Sequence, residues 1–215
     1  MRPAFFIFVK NIKNGSVFFG GCQGDGKFDL VANNLIGILE GAKAFILDLR
    51  FNGGGKDGVA MALLNHFTDK KEIVATKKVR VPKGYVTMAK IRTKPATDNF
   101  VGPVYILTSH QTASASELLV LGSLCKTNML RIGSNTEGIF SSTLGKTLPN
   151  GWEYQLSNEV YNDLEGKNYE NVGIPPDFQI DYAKDKDAFF DQLTSQLNKS
   201  HDEAIELALE QIKLK

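Results

Sequence analysis

The stretch Ala44-Phe45-Ile46-Leu47-Asp48-Leu49-Arg50-Phe51-Asn52-Gly53-Gly54-Gly55 decides the fold. Its first six residues form an apolar run broken only by Asp48, the pattern of a strand buried on both faces. Asn52 and three glycines then end the run. Val59, Leu63 and Phe67 follow at spacings of four, a helical period. Downstream the pattern recurs. Val104-Tyr105-Ile106-Leu107 reads as a second short buried strand, and Ser114-Ala115-Ser116-Glu117 opens a helix whose apolar positions are Leu118, Val120, Leu121 and Leu124. Two strand-turn-helix units in succession predict an α/β core with helices packed on a sheet.

Working outward, Leu30, Leu35, Ile38 and Leu39 predict a helix leading into the first strand, and Glu72 to Val86 alternates as a strand does. Leu148-Pro149-Asn150-Gly151 predicts a hairpin turn into Trp152 to Leu156, because Asn-Gly readily takes positive φ. Gly173-Ile174-Pro175-Pro176-Asp177 is a rigid loop before a short strand from Phe178 to Ile180. From Lys184 to Lys215 the chain reads as helical, with Phe190, Leu193 and Leu197, then Ala204, Leu207 and Ile212, on repeating faces. No repeat, low-complexity tract or flexible linker divides the 215 residues, a length that fits one core. A single domain over residues 1–215 is expected, with its terminal helices over about 184–213.

Composition narrows the function. With 42% hydrophobic and 10% aromatic residues the chain can bury a core without disulfides or structural metal. Its 25 basic and 24 acidic residues leave a net charge of +1, so no global field attracts nucleic acid or an anionic membrane surface. The local exception, Lys70, Lys71, Lys77, Lys78, Arg80 and Lys83 interleaved with Val74, Val79 and Val81, reads as an exposed strand with a solvated polar face. Cys22 and Cys125, without a CxxC pair, read as free and mostly buried thiols. Met1 to Val9 is apolar but lacks the length and cleavage region of a secretory signal, and no run approaches the ~20 apolar residues of a membrane span. The sequence therefore names neither compartment nor oligomeric state.

Ser114-Ala115-Ser116-Glu117 is by itself a capping box, in which the serine accepts a backbone hydrogen bond and the glutamate reaches back. Its setting adds chemistry. A serine at a strand-to-helix turn stands where the unpaired N–H groups of the helix start converge, and such donors stabilise a developing oxyanion. Gly53-Gly54-Gly55 offers a second donor, since glycine lets a backbone N–H approach a substrate closely. A phosphate-cradling reading of Gly53-Gly54-Gly55-Lys56 fails on detail. The phosphate-loop pattern needs glycine where Arg50 stands and Ser or Thr where Asp57 stands, and the GxGxxG spacing is absent.

Four ordered segments carry a family resemblance: Leu47 to Gly55, Thr112-Ala113-Ser114-Ala115-Ser116-Glu117, Ile132-Gly133 through Thr136, and Glu170-Asn171-Val172-Gly173-Ile174-Pro175-Pro176-Asp177. Together they resemble the signatures of the C-terminal-processing (tail-specific) and tricorn-core serine peptidases, in the tricorn-like and interphotoreceptor retinoid-binding-protein-like branch. The resemblance covers roughly residues 44–182. It implies a fold of the crotonase and Clp-protease type, built from repeated strand-strand-helix units with a C-terminal helical segment. It implies Ser114 as nucleophile, the N–H groups of Ala115 and of Gly54 or Gly55 as oxyanion hole, and Glu170 as the acidic residue that assists the site. The implied substrate is a peptide or unfolded protein, and no cofactor is implied. The alternative on the same fold is a non-catalytic module that binds a peptide or an apolar ligand, as the retinoid-binding protein of the retina does.

The chain departs from the family pattern at the general base. The C-terminal-processing branch carries a lysine just past the Ile132 to Thr136 segment, where Ile139 and Phe140 stand here. The tricorn-like branch uses a histidine in an early strand, yet this chain has none before His66, and Ser16 to Cys22 offers no base. His110 is the possible stand-in and Lys146 a remoter one, while His66 and His201 read as surface or boundary residues. A serine hydroxyl without an adjacent base is a weak nucleophile, so weak or incomplete catalysis is expected. A peptide-binding PDZ insert and an N-terminal helical region, common in the family, do not fit before Ala44. The expectation is a minimal or truncated member, or a base carried outside these residues.

Overall fold

The computed structural model describes residues 10–12, 15–19, 42–97 and 99–214. The elements up to the middle of the chain are β1 (Lys10–Ile12), β2 (Gly15–Phe19), β3 (Phe45–Asp48), α1 (Asp57–Asn65), β4 (Ile73–Val81), β5 (Gly84–Arg92) and β6 (Val104–Thr108). They continue as α2 (Ala115–Ser123), β7 (Met129–Gly133), β8 (Thr143–Thr147), β9 (Glu153–Ser157), β10 (Glu159–Asn162), β11 (Phe178–Gln179), α3 (Lys186–Asn198) and α4 (Glu203–Lys213). The main sheet has the order β1-β2-β3-β6-β7-β11, all parallel except the β1–β2 pair.

The apolar runs are explained by a helix layer on each face of this sheet. Side chains alternate between faces along a strand. Phe45, Leu47, Leu49, Val104 and Ile106 join Ala60 and Leu64 of α1 and Leu118, Leu119 and Leu121 of α2 in one core. Ala44, Ile46, Tyr105, Leu107 and Ile132 join Phe189 and Leu193 of α3 and Ala204 and Ala208 of α4 in the other. This is the α/β architecture that the two strand-turn-helix units predict, and the terminal helices cover the second face.

Four expectations change in detail. The strand read over Glu72 to Val86 is a hairpin, because Pro82 and Lys83 form the turn between β4 and β5 and the alternation simply continues on the returning strand. Phe67 lies beyond the end of α1 but stays in the core, stacked on Phe45 with ring centroids 4.8 Å apart. In α3 it is Phe189 that joins Leu193 in the core, and its neighbour Phe190 is 58% exposed. His66 is buried rather than superficial, since its carbonyl accepts the Phe100 N–H at 2.6 Å and the loop after α1 closes over it. The hairpin predicted around Asn150-Gly151 forms as β8 and β9. Met1 to Val9, Cys22 and the helix read over Leu30 to Leu39 lie outside the described residues. No described helix is long and apolar enough to cross a membrane.

Candidate active site

In parallel register Asp48 of β3 stands opposite Leu107 of β6, so both strands end at one edge and each feeds a turn into a helix. The two turns are laced together. The Ser109 hydroxyl donates to the Arg50 carbonyl (2.6 Å), the Thr112 hydroxyl to the Leu49 carbonyl (2.8 Å), and the Ala113 N–H to the Asn52 carbonyl (3.1 Å). These bonds span about 60 residues of sequence and fix the glycine turn against the serine turn.

Ser114 is half-buried at the N-terminus of α2, between buried neighbours, with φ 56° and ψ −124°. A non-glycine residue reaches this region only under strain of about 1–3 kcal/mol, and such strain clusters at functional sites. Gly54 makes the approach possible. It has φ 101°, and a β-carbon added to it would lie 2.5 Å from Ser114 Cβ and 3.1 Å from the Ala115 nitrogen. The Gly54 N–H itself is engaged, donating to Asn52 Oδ1 at 3.1 Å.

The other two motifs close on the same point. The Ser114 N–H is shared between the Ile139 carbonyl (2.9 Å) and Glu117 Oε2 (3.1 Å). Glu117 is fully buried and also accepts from Thr136, Gly138 and Ile139. Thr136 and Gly138 in turn run along the fourth motif. Ile174 N–H donates to the Thr136 hydroxyl at 2.7 Å and Asn171 N–H to the Gly138 carbonyl at 2.7 Å. Glu170 is half-buried, and its Oε2 accepts the Phe140 N–H at 3.0 Å, one residue from the carbonyl that holds Ser114. Sequence reading recognised Glu117 only as a cap and missed Asn52 and Thr136 as side chains of the site. Their positions inside the motifs were visible, but not their partners.

The possible bases stand apart. His110 turns its ring to Phe189 of α3, with centroids 5.0 Å apart, on the opposite face of the sheet from α2. Its Nε2 is buried with no partner among the described residues, and burial pushes its pKa down despite the opposing pull of Glu137 and Asp185. Among the described residues no hydrogen bond joins that ring to Ser114. Lys146 is exposed on β8, and His201 pairs with Glu206 at the surface. Ile139 is 49% exposed and Phe140 is buried. Gly15 to Phe19 of β2, the strand beside β3, contains no carboxylate, amine or imidazole.

On the other side of the glycine turn lies a second polar cluster that the sequence did not announce. Arg50 Nε donates to both carboxylate oxygens of Asp48 at 3.0 Å, and its terminal nitrogens reach both oxygens of Asp202 at 3.0 and 2.8 Å. Asp202 is also the N-cap of α4, accepting the Ile205 N–H at 3.1 Å. The cluster pins the terminal helix to the end of β3.

Peptidase family S41 matches residues 15–180. The carboxy-terminal processing protease CtpA of Bacillus subtilis is 30% identical over 149 residues, which cover 67% of this chain and 31% of that protein. The chain thus spans under a third of the length of the curated relatives it matches. Among solved structures, a protein of Parabacteroides merdae superposes with a TM-score of 0.78 at 20% identity, over 95% of this chain and 63% of that one. The photosystem II D1 C-terminal processing protease superposes with a TM-score of 0.65 at 18% identity, over 81% of this chain and 45% of that one. At those identities the likeness carries the fold. The match over residues 15–180, together with an α/β core in which the four motifs meet, establishes that the chain belongs to peptidase family S41.

Proposed function

We propose that this chain is the core of a serine peptidase that cleaves peptide or unfolded protein substrates through an acyl-enzyme on Ser114. The observation that carries the reading is the strained Ser114 on its strand-to-helix turn, with Gly54 in contact and the first N–H of α2 beside it. In the reaction Ser114 Oγ attacks the substrate carbonyl carbon, and the carbonyl oxygen takes up negative charge. The N–H groups of Ala115 and Gly55 are the donors for that oxyanion. Gly55 is preferred to Gly54, whose N–H is already given to Asn52. The serine proton passes to the leaving nitrogen as the C–N bond breaks, and water then hydrolyses the ester and restores the hydroxyl. Glu170 acts at one remove, holding the segment whose carbonyl holds Ser114. The names of the relatives make a C-terminal peptide segment the first substrate to test.

Proton transfer is the weak step. A positioned general base contributes roughly 10²–10⁴-fold, and neither family position for it is filled. His110 is occupied in the packing around Phe189. The oxyanion hole and substrate binding still accelerate acyl transfer by roughly 10³–10⁴-fold over water in serine hydrolases stripped of triad members, so turnover is slow rather than absent. Incubating the chain with an unfolded protein tests this. Slow cleavage that disappears in Ser114→Ala supports the proposal. No cleavage, with peptide binding retained, supports the binding module that the unfilled base positions favour.

A further inference from the structure

We infer that Glu117 is the positioning residue of this site: its buried carboxylate ties the Ser114 turn to residues 136–139 and so fixes where the serine presents its hydroxyl. This rests on the reading of Ser114 as nucleophile. A glutamate at the third position of a helix closes a capping box by accepting one N–H. Glu117 accepts from four donors. Oε2 takes the N–H groups of Ser114 (3.1 Å) and Ile139 (2.8 Å), and Oε1 takes the Thr136 hydroxyl (2.6 Å) and the Gly138 N–H (2.7 Å). All four partners are neutral, and among the described residues no cation pairs with this 0% exposed carboxylate.

Such a group is costly to bury, and only the ionised form uses every one of these donors. A protonated carboxyl would turn a hydrogen toward a ring of hydrogens. Three of the donors are backbone N–H groups that cannot reverse, so loss of the charge loosens the clamp. Thr136 passes the restraint on, because its hydroxyl accepts the Ile174 N–H at 2.7 Å and so engages the loop that carries Glu170. Among the described residues, the charged groups along the clamped segment are Glu137, exposed between two of the clamped residues, and Glu170 on the Phe140 N–H. Both are carboxylates, and neither supplies the missing cation. Burial raises the Glu117 pKa, against the hydrogen bonds that lower it. A raised folded-state pKa means that the folded chain binds the proton more tightly than the unfolded one. Mild acid therefore stabilises the fold through this group while releasing the serine.

The test follows the amide resonances of Ser114, Gly138 and Ile139 in the ¹⁵N-labelled chain from neutral into mildly acidic pH, alongside the rate at which a fluorophosphonate labels Ser114. The three amides should titrate together, with one midpoint above the ordinary carboxylate range. Labelling should fall with the same midpoint, by up to roughly 10²-fold, the cost of an ångström-scale misplacement. Glu117→Gln should abolish the shared titration. Thr136→Val, which removes one donor to the charged form, should move the midpoint up, and it serves if Glu117→Gln does not fold. Amides that titrate separately, or a folded Glu117→Gln that labels as fast as wild type with an unchanged pH profile, overturn the inference. A wild-type chain that takes no label at any pH removes the nucleophile reading instead. In that case the amide titration alone decides whether Glu117 positions the turn.

Discussion

Two sets of buried carboxylates flank the turn that ends β3, and they are held in opposite ways. Under α3 and α4, Asp48 and Asp202 share the guanidinium of Arg50, so the acidic charges face a cation held by a planar fork of hydrogen bonds. Under α2, the partners of the Glu117 charge among the described residues are all neutral donors. The first arrangement fastens a terminal helix to the sheet and has no bond to Ser114. The second touches the Ser114 backbone directly, and its charge is titratable within the folded protein. Carboxylates that share a cation mark the structural joint here, and a carboxylate held by neutral donors marks the site.

The difference can be broken most forcefully at Arg50. Arg50→Met leaves two carboxylates buried without their cation, and should cost about 3–5 kcal/mol in urea unfolding. A loss below about 1 kcal/mol, the range of an exposed pair, would show that the joint is not load-carrying. Next comes Gly54→Ala, where a β-carbon 2.5 Å from Ser114 Cβ and a φ of 101° oppose the substitution together. It should cost about 1–3 kcal/mol of stability and slow labelling of Ser114, whereas unchanged labelling would separate the glycine turn from the site.

Smaller effects are expected at Glu170 and His110. Glu170→Gln keeps an acceptor for the Phe140 N–H but removes the charge, so cleavage should slow by roughly fivefold, the ~1 kcal/mol between a charged and a neutral acceptor. Its unfolding midpoint should stay at the wild-type value, and a large shift there would make Glu170 a structural residue. Smallest of all, His110→Ala should leave the rate of Ser114 labelling unchanged. A loss of labelling in that variant, with the fold intact, would identify His110 as the base after all.

Much of this was legible in the sequence because local pattern and global fold agree. The apolar runs at Ala44 to Leu49 and Val104 to Leu107 announce two-sided burial, and the turns that follow them do come together at one edge of the sheet. What was illegible is of two kinds. The alternation from Glu72 onward says strand but not where it reverses, since a hairpin preserves the period and only Pro82 marks the turn. Likewise, no periodicity reveals that Asp202 would cap α4 and at the same time pair with Arg50 across 152 residues, or that Glu117 would gather donors from residues 136–139. Long-range polar partners leave no trace in spacing. The serine was visible, but the charge that positions it was visible only as a helix cap.

The most direct test of the central claim is mass spectrometry of the purified chain after exposure to a fluorophosphonate. A single adduct is expected, forming slowly, mapping to Ser114 and absent from Ser114→Ala. No adduct at Ser114 in the folded wild-type chain, or an equal adduct in the Ser114→Ala variant, would contradict it.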